Sequence, residues 1–310
     1  MIPRPRNLRT TACAALLLVV VATAACGSGS SASPAAANGK IQVTAAENFW
    51  GSIASQLGGN KVAVTSIISN PDTDPHTYQP TANDGRSITT AGMVIYNGIG
   101  YDPWAPKLLA TNSGAGPTVL DVGQRVAVPE GGNPHRWYSP PDVERAIGAV
   151  TAGYSRLDPK HAPYFAARER SFETAGLRAY HGLIVQIRQR YAGTAVGASE
   201  SIFAPMAQAL GLNLLTPPSF LKAISEGTDP TAQDKATIDA QIKGHQIKVY
   251  VYNSQNATPD VQAQVKEARA AGIPVTTITE TPVPPSSTFQ AWQVRQLQGL
   301  AAALARATGQ

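Results

Sequence analysis

The sequence predicts an α/β fold of two parallel-sheet lobes bridged by one long helix. Three observations carry that reading. Short β-branched runs alternate with longer amphipathic stretches, the scheme occurs twice, and a helix-rich segment separates the two copies. Alternation of this kind argues for parallel sheets covered by helices.

In the first copy the strands are "IQVTA" at 41–45, "VAVTSII" at 62–68, "MVIYN" at 93–97 and "TVLDV" at 118–122. Between the first two, "NFWGSIASQLGG" puts Phe49, Ile53 and Leu57 on one helical face and stops at Gly58-Gly59, as a helix C-terminus does. The second copy has strands in "TAVGAS" at 194–199, "IKVYVYN" at 247–253 and "PVTTIT" at 274–279, with helical sequence at 231–244 and 259–272. From Pro159 to Gly193, Tyr164, Phe172, Tyr180, Ile184 and Ile187 recur at roughly helical intervals, weakened only by Gly176 and Gly182. At ~1.5 Å per residue, about 30 residues make a rod of about 45 Å, a stiff spine beside both lobes. A last helix is expected from Ser287, with Ser287 and Gln290 as a capping box and Phe289, Trp292, Leu297 and Leu300 as its apolar side. The expected organisation is thus a first lobe at 41–158, a linker helix at 159–192 and a second lobe at 193–310.

Residues 1–26 read as a targeting segment: Arg4, Arg6 and Arg9 precede an apolar run from Ala12 to Val21 that is too short to span a bilayer. The run ends in "TAAC" and is followed by a small-residue tether over 27–40. This resembles the lipobox of bacterial lipoproteins, with Cys26 as the acylated residue, although Thr23 stands where leucine is commoner. A plain secretory signal cut nearby is the alternative. With Cys13 removed and Cys26 lipidated, the mature chain has no free thiol, which excludes cysteine catalysis and thiolate ligation. Loss of three arginines takes Lys+Arg from 25 to 22 against 20 Asp+Glu, so the net charge falls from +5 to +2. No Lys/Arg cluster points to nucleic acid.

Ligands of open α/β sheets bind beyond the carboxyl ends of the strands. Four metal-competent side chains fall there: His76 in "DPHTYQP", His135 in "NPHRWYSP", Glu200 directly after "TAVGAS" and Glu280 directly after "PVTTIT". Both histidines follow a proline and precede an aromatic residue by two positions, a framing that restricts the loop backbone. Two neutral imidazoles and two carboxylates suit a divalent cation, because the charges cancel and the ion can be buried as a neutral assembly. Taken alone, either histidine reads first as a hydrogen-bonded loop residue, and a glutamate after a strand as a helix N-terminal charge; the shared framing shifts the balance for the histidines. Tyr78 and Trp137 are expected to pack under the two loops. His161, His181 and His245 read as structural or solvated, and Asp72, Asp74 and Glu47 as turn-forming or supporting groups.

"AAENFWGSIASQLGG", "DPHTYQP", "YNGIGYDPW", "NPHRWYSP", "ASESIFAPMAQALGL" and "ISEGTDPTAQD" resemble, in order, the successive motifs of the zinc/manganese solute-binding proteins of bacterial ABC importers. The resemblance runs from about Ile41 to the end of the chain. It implies two lobes bridged by a long helix, with a metal in the interlobe cleft held by two histidines, a histidine or glutamate, and a late aspartate. His76, His135 and Glu200 fall on the first three positions. The fourth departs from the pattern, since Glu280 stands where aspartate is usual, and residues 112–134 lack the histidine-rich loop of some zinc-specific members. The implied cargo is Zn2+, with Mn2+ as the alternative, because affinity at N/O sites rises toward zinc while carboxylates tolerate manganese. The implied partners are an ABC permease with its ATPase and the membrane reached through the lipid anchor, the protein itself acting as a monomer. Two other functions fit the same donors, a metallohydrolase and a metal-stabilised adhesin. Four protein ligands disfavour the first by closing the site that a catalytic metal keeps open.

Overall fold

The computed structural model describes residues 36–37, 39–111 and 116–310. Cys26 and the lipobox lie outside the described residues, as does most of the tether.

The first sheet contains β1 (Ala36–Ala37), β2 (Lys40–Glu47), β3 (Val62–Ile68), β4 (Met93–Tyr96) and β5 (Thr118–Asp121). Strands β3-β2-β4-β5 are parallel, and β1 pairs antiparallel with the start of β2. That pairing draws two residues of the expected tether into the sheet. Helices α1 (Asn48–Gly58), α2 (Ala82–Thr90), α3 (Trp104–Ala110), α4 (Val122–Arg125) and α5 (Pro140–Leu157) complete the lobe. The buried run Phe49, Ile53 and Leu57 seats α1 on the sheet.

The bridging segment is not the single unbroken helix expected over 159–192. Helix α6 (Ala162–Ser171) ends in a π-helical turn, Phe172–Gly176, and α7 (Arg178–Tyr191) resumes beyond Leu177. The widened turn shows in the Leu177 N–H bond to the Phe172 carbonyl at 2.8 Å. Gly176 leaves room for it, since a Cβ there would press on the Phe172 ring at 3.0 Å. Such turns occur mostly as single-turn bulges within α-helices, and here Phe172 and Leu177 on either end of it are both buried.

In the second lobe β6 (Ala195–Ala198), α8 (Ala204–Leu210), β7 (Asn213–Leu214), α9 (Pro218–Ser225), α10 (Ala232–Lys243), β8 (Val249–Asn253), α11 (Pro259–Ala270) and β9 (Val275–Ile278) form a parallel sheet ordered β7-β6-β8-β9 with flanking helices. The closing helix α12 (Phe289–Thr308) is capped by Thr288, whose hydroxyl accepts from the Ala291 N–H, one residue later than the expected Ser287 cap. Ser287 instead accepts from Arg295. Helix α12 ties the lobes together: the Phe289 N–H bonds Ser52 Oγ at 2.9 Å, and Gln290 pairs with Gln56 on α1. One apolar cluster runs unbroken from Ile41 and Val43 of the first sheet through Tyr180 and Trp292 to Val196 and Val249 of the second. Among the described residues no helix is long and apolar enough to cross a membrane.

Candidate metal-binding site

The parallel strands of each sheet end on one side, and the loops leaving those ends carry the four expected donors. Their environments differ. His135 is 0% exposed on the loop before α5. Asn133 orients it, its Oδ1 accepting from the His135 backbone N–H at 3.0 Å and from ring Nδ1 at 2.9 Å. Asn133 Nδ2 donates in turn to the Ser201 carbonyl at 2.7 Å, which fixes the amide's orientation. With Nδ1 donating to Asn133, Nε2 is the lone-pair nitrogen of the neutral ring. It lies 3.6 Å from Glu280 Oε1 and, though buried, has no hydrogen-bond partner.

His76 sits on a half-buried turn built by Asp74, whose carboxylate accepts from the His76 N–H at 2.9 Å and the Thr77 hydroxyl at 3.0 Å. Asp74 thus forms the turn that its place in the sequence suggests. The residue beneath His76 is Tyr101, edge to face at a centroid distance of 4.7 Å. Tyr78, expected there, packs on Trp104 and bonds Asp84 instead. Trp137 does lie under its loop, 5.2 Å from the His135 ring and stacked on Phe49 at 4.2 Å.

Glu200 is 1% exposed after β6. Its Oε2 accepts from Asn256 Nδ2 at 2.8 Å, and its Oε1 has no partner. Glu280, after β9, takes the Tyr101 hydroxyl on Oε2 at 2.9 Å and Asn253 Nδ2 on Oε1 at 3.1 Å. Burial, then the charge of Glu280, pushes the Glu200 carboxyl up to about 8. For Glu280 burial works upward, but His135, His76 and the Tyr101 hydrogen bond outweigh it and hold the group below its ordinary value. Burial lowers His76, opposed by the charge of Glu280.

A cavity of about 320 Å³ opens beside these groups, lined by Asp72, Asp74, His76, Glu226, Asn256 and Glu280 among others. Of the four expected donors, His76 and Glu280 line this cavity, His135 stands behind Glu280, and Glu200 reaches its edge through Asn256. Among the described residues no three His, Cys, Asp or Glu side chains form a ready-made coordination sphere, and the close pair of donors is His135 with Glu280. Outside the cleft, His161 bonds Asp158 at 2.6 Å, His181 faces Glu144 at 3.6 Å, and His245 occupies a turn with φ of +50°. Glu47 ends β2 fully buried, raised by burial and by Asp102 beside it. Sequence reasoning missed Tyr101, Asn133, Asn253 and Asn256. Their only signal was position, each lying at the end of a strand, in the loop after one, or beside a donor.

Comparison with known proteins agrees with this architecture. The manganese-binding lipoprotein MntA of Bacillus subtilis is 27% identical over 145 residues, 44% of this chain and 47% of that protein. The high-affinity zinc uptake system protein ZnuA of the same organism is 22% identical over 204 residues, 58% and 60% of the two chains. The chain spans about half the length of the curated relatives it matches. Among solved structures, an Mn-bound periplasmic metal-binding protein from Candidatus Liberibacter asiaticus superposes with a TM-score of 0.70 at 19% identity, over 84% of this chain and 98% of that one. The solute-binding protein FpvC of Pseudomonas aeruginosa, in complex with Ni2+, also gives 0.70, at 20% identity over 87% and 99%. At these identities the structural likeness is one of fold. A family model described as zinc-uptake complex component A, periplasmic, matches residues 43–303, and the chain belongs to that family.

Proposed function

We propose that the protein captures a divalent transition metal outside the cytoplasm, zinc by preference and manganese as the alternative, and hands it to an ABC permease for import. His76, His135, Glu200 and Glu280 are the proposed ligands. One observation carries the reading: His135 Nε2 and Glu280 Oε1 face each other at 3.6 Å, and with the ring neutral and its Nδ1 proton given to Asn133 both are electron-pair donors. Zinc bonds of about 2.0–2.1 Å at a tetrahedral angle span ~3.3 Å between ligand atoms, so a small shift seats an ion. Glu200 Oε1, buried and without a hydrogen-bond partner like His135 Nε2, supplies a third donor. A buried polar atom left unsatisfied costs about 1–3 kcal/mol, and a cation relieves that cost at several atoms at once.

The ion enters through the cavity bordered by Asp72, Asp74 and Glu226, meets the half-buried His76, and is closed in as the His76 turn and the second-lobe carboxylates draw together. Two carboxylates offset its charge, leaving a neutral buried assembly. This is binding and release rather than catalysis, in keeping with a family of solute-binding proteins. The proposed tether to the membrane is lipidated Cys26, and Cys26→Ala is expected to move the protein from the membrane to the soluble fraction. Elemental analysis of protein purified without added metal, followed by zinc–manganese competition, tests the reading. Stoichiometric zinc displaced only by excess manganese is the expected result, and protein that binds neither ion overturns it.

A further inference from the structure

We infer that Tyr101 is a specificity-determining residue: with Asn256 it keeps the two cleft carboxylates one-toothed, so that the site offers four donor atoms and favours zinc over manganese. The inference rests on the ligand set proposed above.

In each carboxylate a side-chain donor holds Oε2, and Oε1 is the oxygen offered to the site. Glu280 Oε2 is held by the Tyr101 hydroxyl at 2.9 Å across the cleft, which leaves Oε1, an acceptor from Asn253 Nδ2 at 3.1 Å, near His135 Nε2. Glu200 Oε2 is held by Asn256 at 2.8 Å, leaving Oε1 without a partner. Two imidazole nitrogens and two single oxygens make a tetrahedral set, which zinc accepts without loss. Manganese favours a larger, oxygen-rich shell, and a carboxylate supplies that most directly by turning both oxygens to the metal. The hydrogen bonds from Tyr101 and Asn256 oppose that turn.

The loop behind Tyr101 is built to place it. Gly98, Ile99 and Gly100 have φ of +74°, +60° and +76°, three left-handed residues in succession. A β-branched residue such as Ile99 is rarely held there unless the surroundings enforce it. Asp102 supplies the enforcement, its carboxylate accepting from the Asn97 N–H at 2.6 Å and the Gly98 N–H at 2.8 Å. Asn97 takes the Trp50 indole N–H at 3.2 Å and donates to the Pro134 carbonyl at 2.9 Å, which locks the Tyr101 loop to the His135 loop. The phenol ring, 0% exposed, packs against His76, His135 and Trp137 together. It acts through the carboxylate and not as a ligand, and so is a positioning residue.

Tyr101→Phe keeps that ring packing and removes only the hydroxyl. The experiment compares zinc and manganese dissociation constants and the visible spectrum of the Co2+ complex for wild type, Tyr101→Phe and Asn256→Ala, with His135→Ala as the check on the ligand set. An intense tetrahedral Co2+ spectrum is expected for wild type. In Tyr101→Phe it weakens, and the manganese-to-zinc ratio of dissociation constants falls about tenfold, the lower end of what outer contacts to metal ligands contribute. Asn256→Ala shifts both readouts in the same direction. An unchanged ratio with an unchanged spectrum overturns the inference, as does equal weakening of both metals with the tetrahedral spectrum kept. Wild-type Co2+ binding by His135→Ala overturns the underlying ligand set instead.

Discussion

The loops carrying His135 and His76 look alike in sequence and differ in structure. His135 is sealed in the core, its tautomer set by Asn133 and its ring backed by Trp137. His76 stands half-buried on a turn at the cavity mouth, with its backbone fixed by Asp74 and its ring resting on Tyr101. One is preorganised and the other is placed to complete the site. A cleft that must both hold an ion and let it go needs the two kinds of donor together, because a site rigid at every ligand would have no low-cost route for release.

The largest expected effect breaks the preorganised side. His135→Ala removes a donor whose position costs nothing on binding and leaves Glu280 without its partner, so zinc affinity is expected to fall by well over the ~100-fold upper range of outer-contact changes. His76→Ala follows, with a smaller loss concentrated in the dissociation rate, since the closing donor guards the exit. Stopped-flow release of bound zinc to a chelator measures both. Equal effects on association and dissociation in the two variants would erase the distinction between the loops. His161→Ala, His181→Ala and His245→Ala, at positions remote from the cleft, serve as unchanged controls.

Proton competition sharpens the same contrast. Burial and the charge of Glu280 put the Glu200 pKa at about 8, so below that pH the metal-free cleft carries a proton that the ion must displace. His76 lies below its ordinary 6.5 because of burial, and so adds a second competing proton only in more acid solution. Since the free protein then binds more protons than the loaded one, affinity rises with pH, about tenfold per unit between about pH 6.5 and 8 for one proton. It levels off above that and falls more steeply below the His76 value. Calorimetry in buffers of different ionisation enthalpy counts the released proton, and a flat profile near neutrality contradicts the assignment.

The strands and the residues that follow them were legible in the sequence because β-branched density and strand ends are local signals; "VAVTSII" coincides with β3 residue for residue. The break in the linker was not, because one π-turn barely disturbs the spacing of Phe172, Tyr180 and Ile187, and Gly176 was its sole trace. Thr288 and Ser287 are adjacent hydroxyl residues, and the slight local preference for serine as a cap pointed to the wrong one. Tyr101 reads as an ordinary core aromatic until its hydroxyl is seen on a carboxylate 179 positions away. Asn253 closes the expected strand "IKVYVYN" and Asn256 follows three residues on, and only the fold turns their amides toward Glu280 and Glu200.

A smaller effect is expected in overall shape. The shared apolar cluster and the α12 contacts join the lobes directly, so closure is expected to be local to the His76 turn. Scattering profiles of metal-free and loaded protein are expected to superpose, and a marked drop in radius of gyration would assign the closing motion to whole lobes.

The smallest expected change is Glu280→Asp, which restores the residue that the family pattern has at this position. Removing one methylene draws the carboxylate back by roughly one carbon–carbon bond, about 1.5 Å. Its contacts with the Tyr101 hydroxyl and Asn253 are now 2.9 and 3.1 Å, so both lengthen beyond hydrogen-bonding range unless the loops follow. The ligand itself survives, and zinc affinity is expected to stay within about tenfold of wild type, whereas Glu280→Ala loses a charge and a donor and falls much further. Freed from Tyr101, the aspartate can turn both oxygens to the ion, so the manganese-to-zinc ratio is expected to move in the direction of Tyr101→Phe. Competition titrations of the two variants side by side measure this. If Glu280→Asp weakens zinc as severely as Glu280→Ala, the longer side chain is an obligatory part of this site; if Glu280→Ala binds as wild type does, Glu280 is not a ligand and His135 must find its counterpart elsewhere.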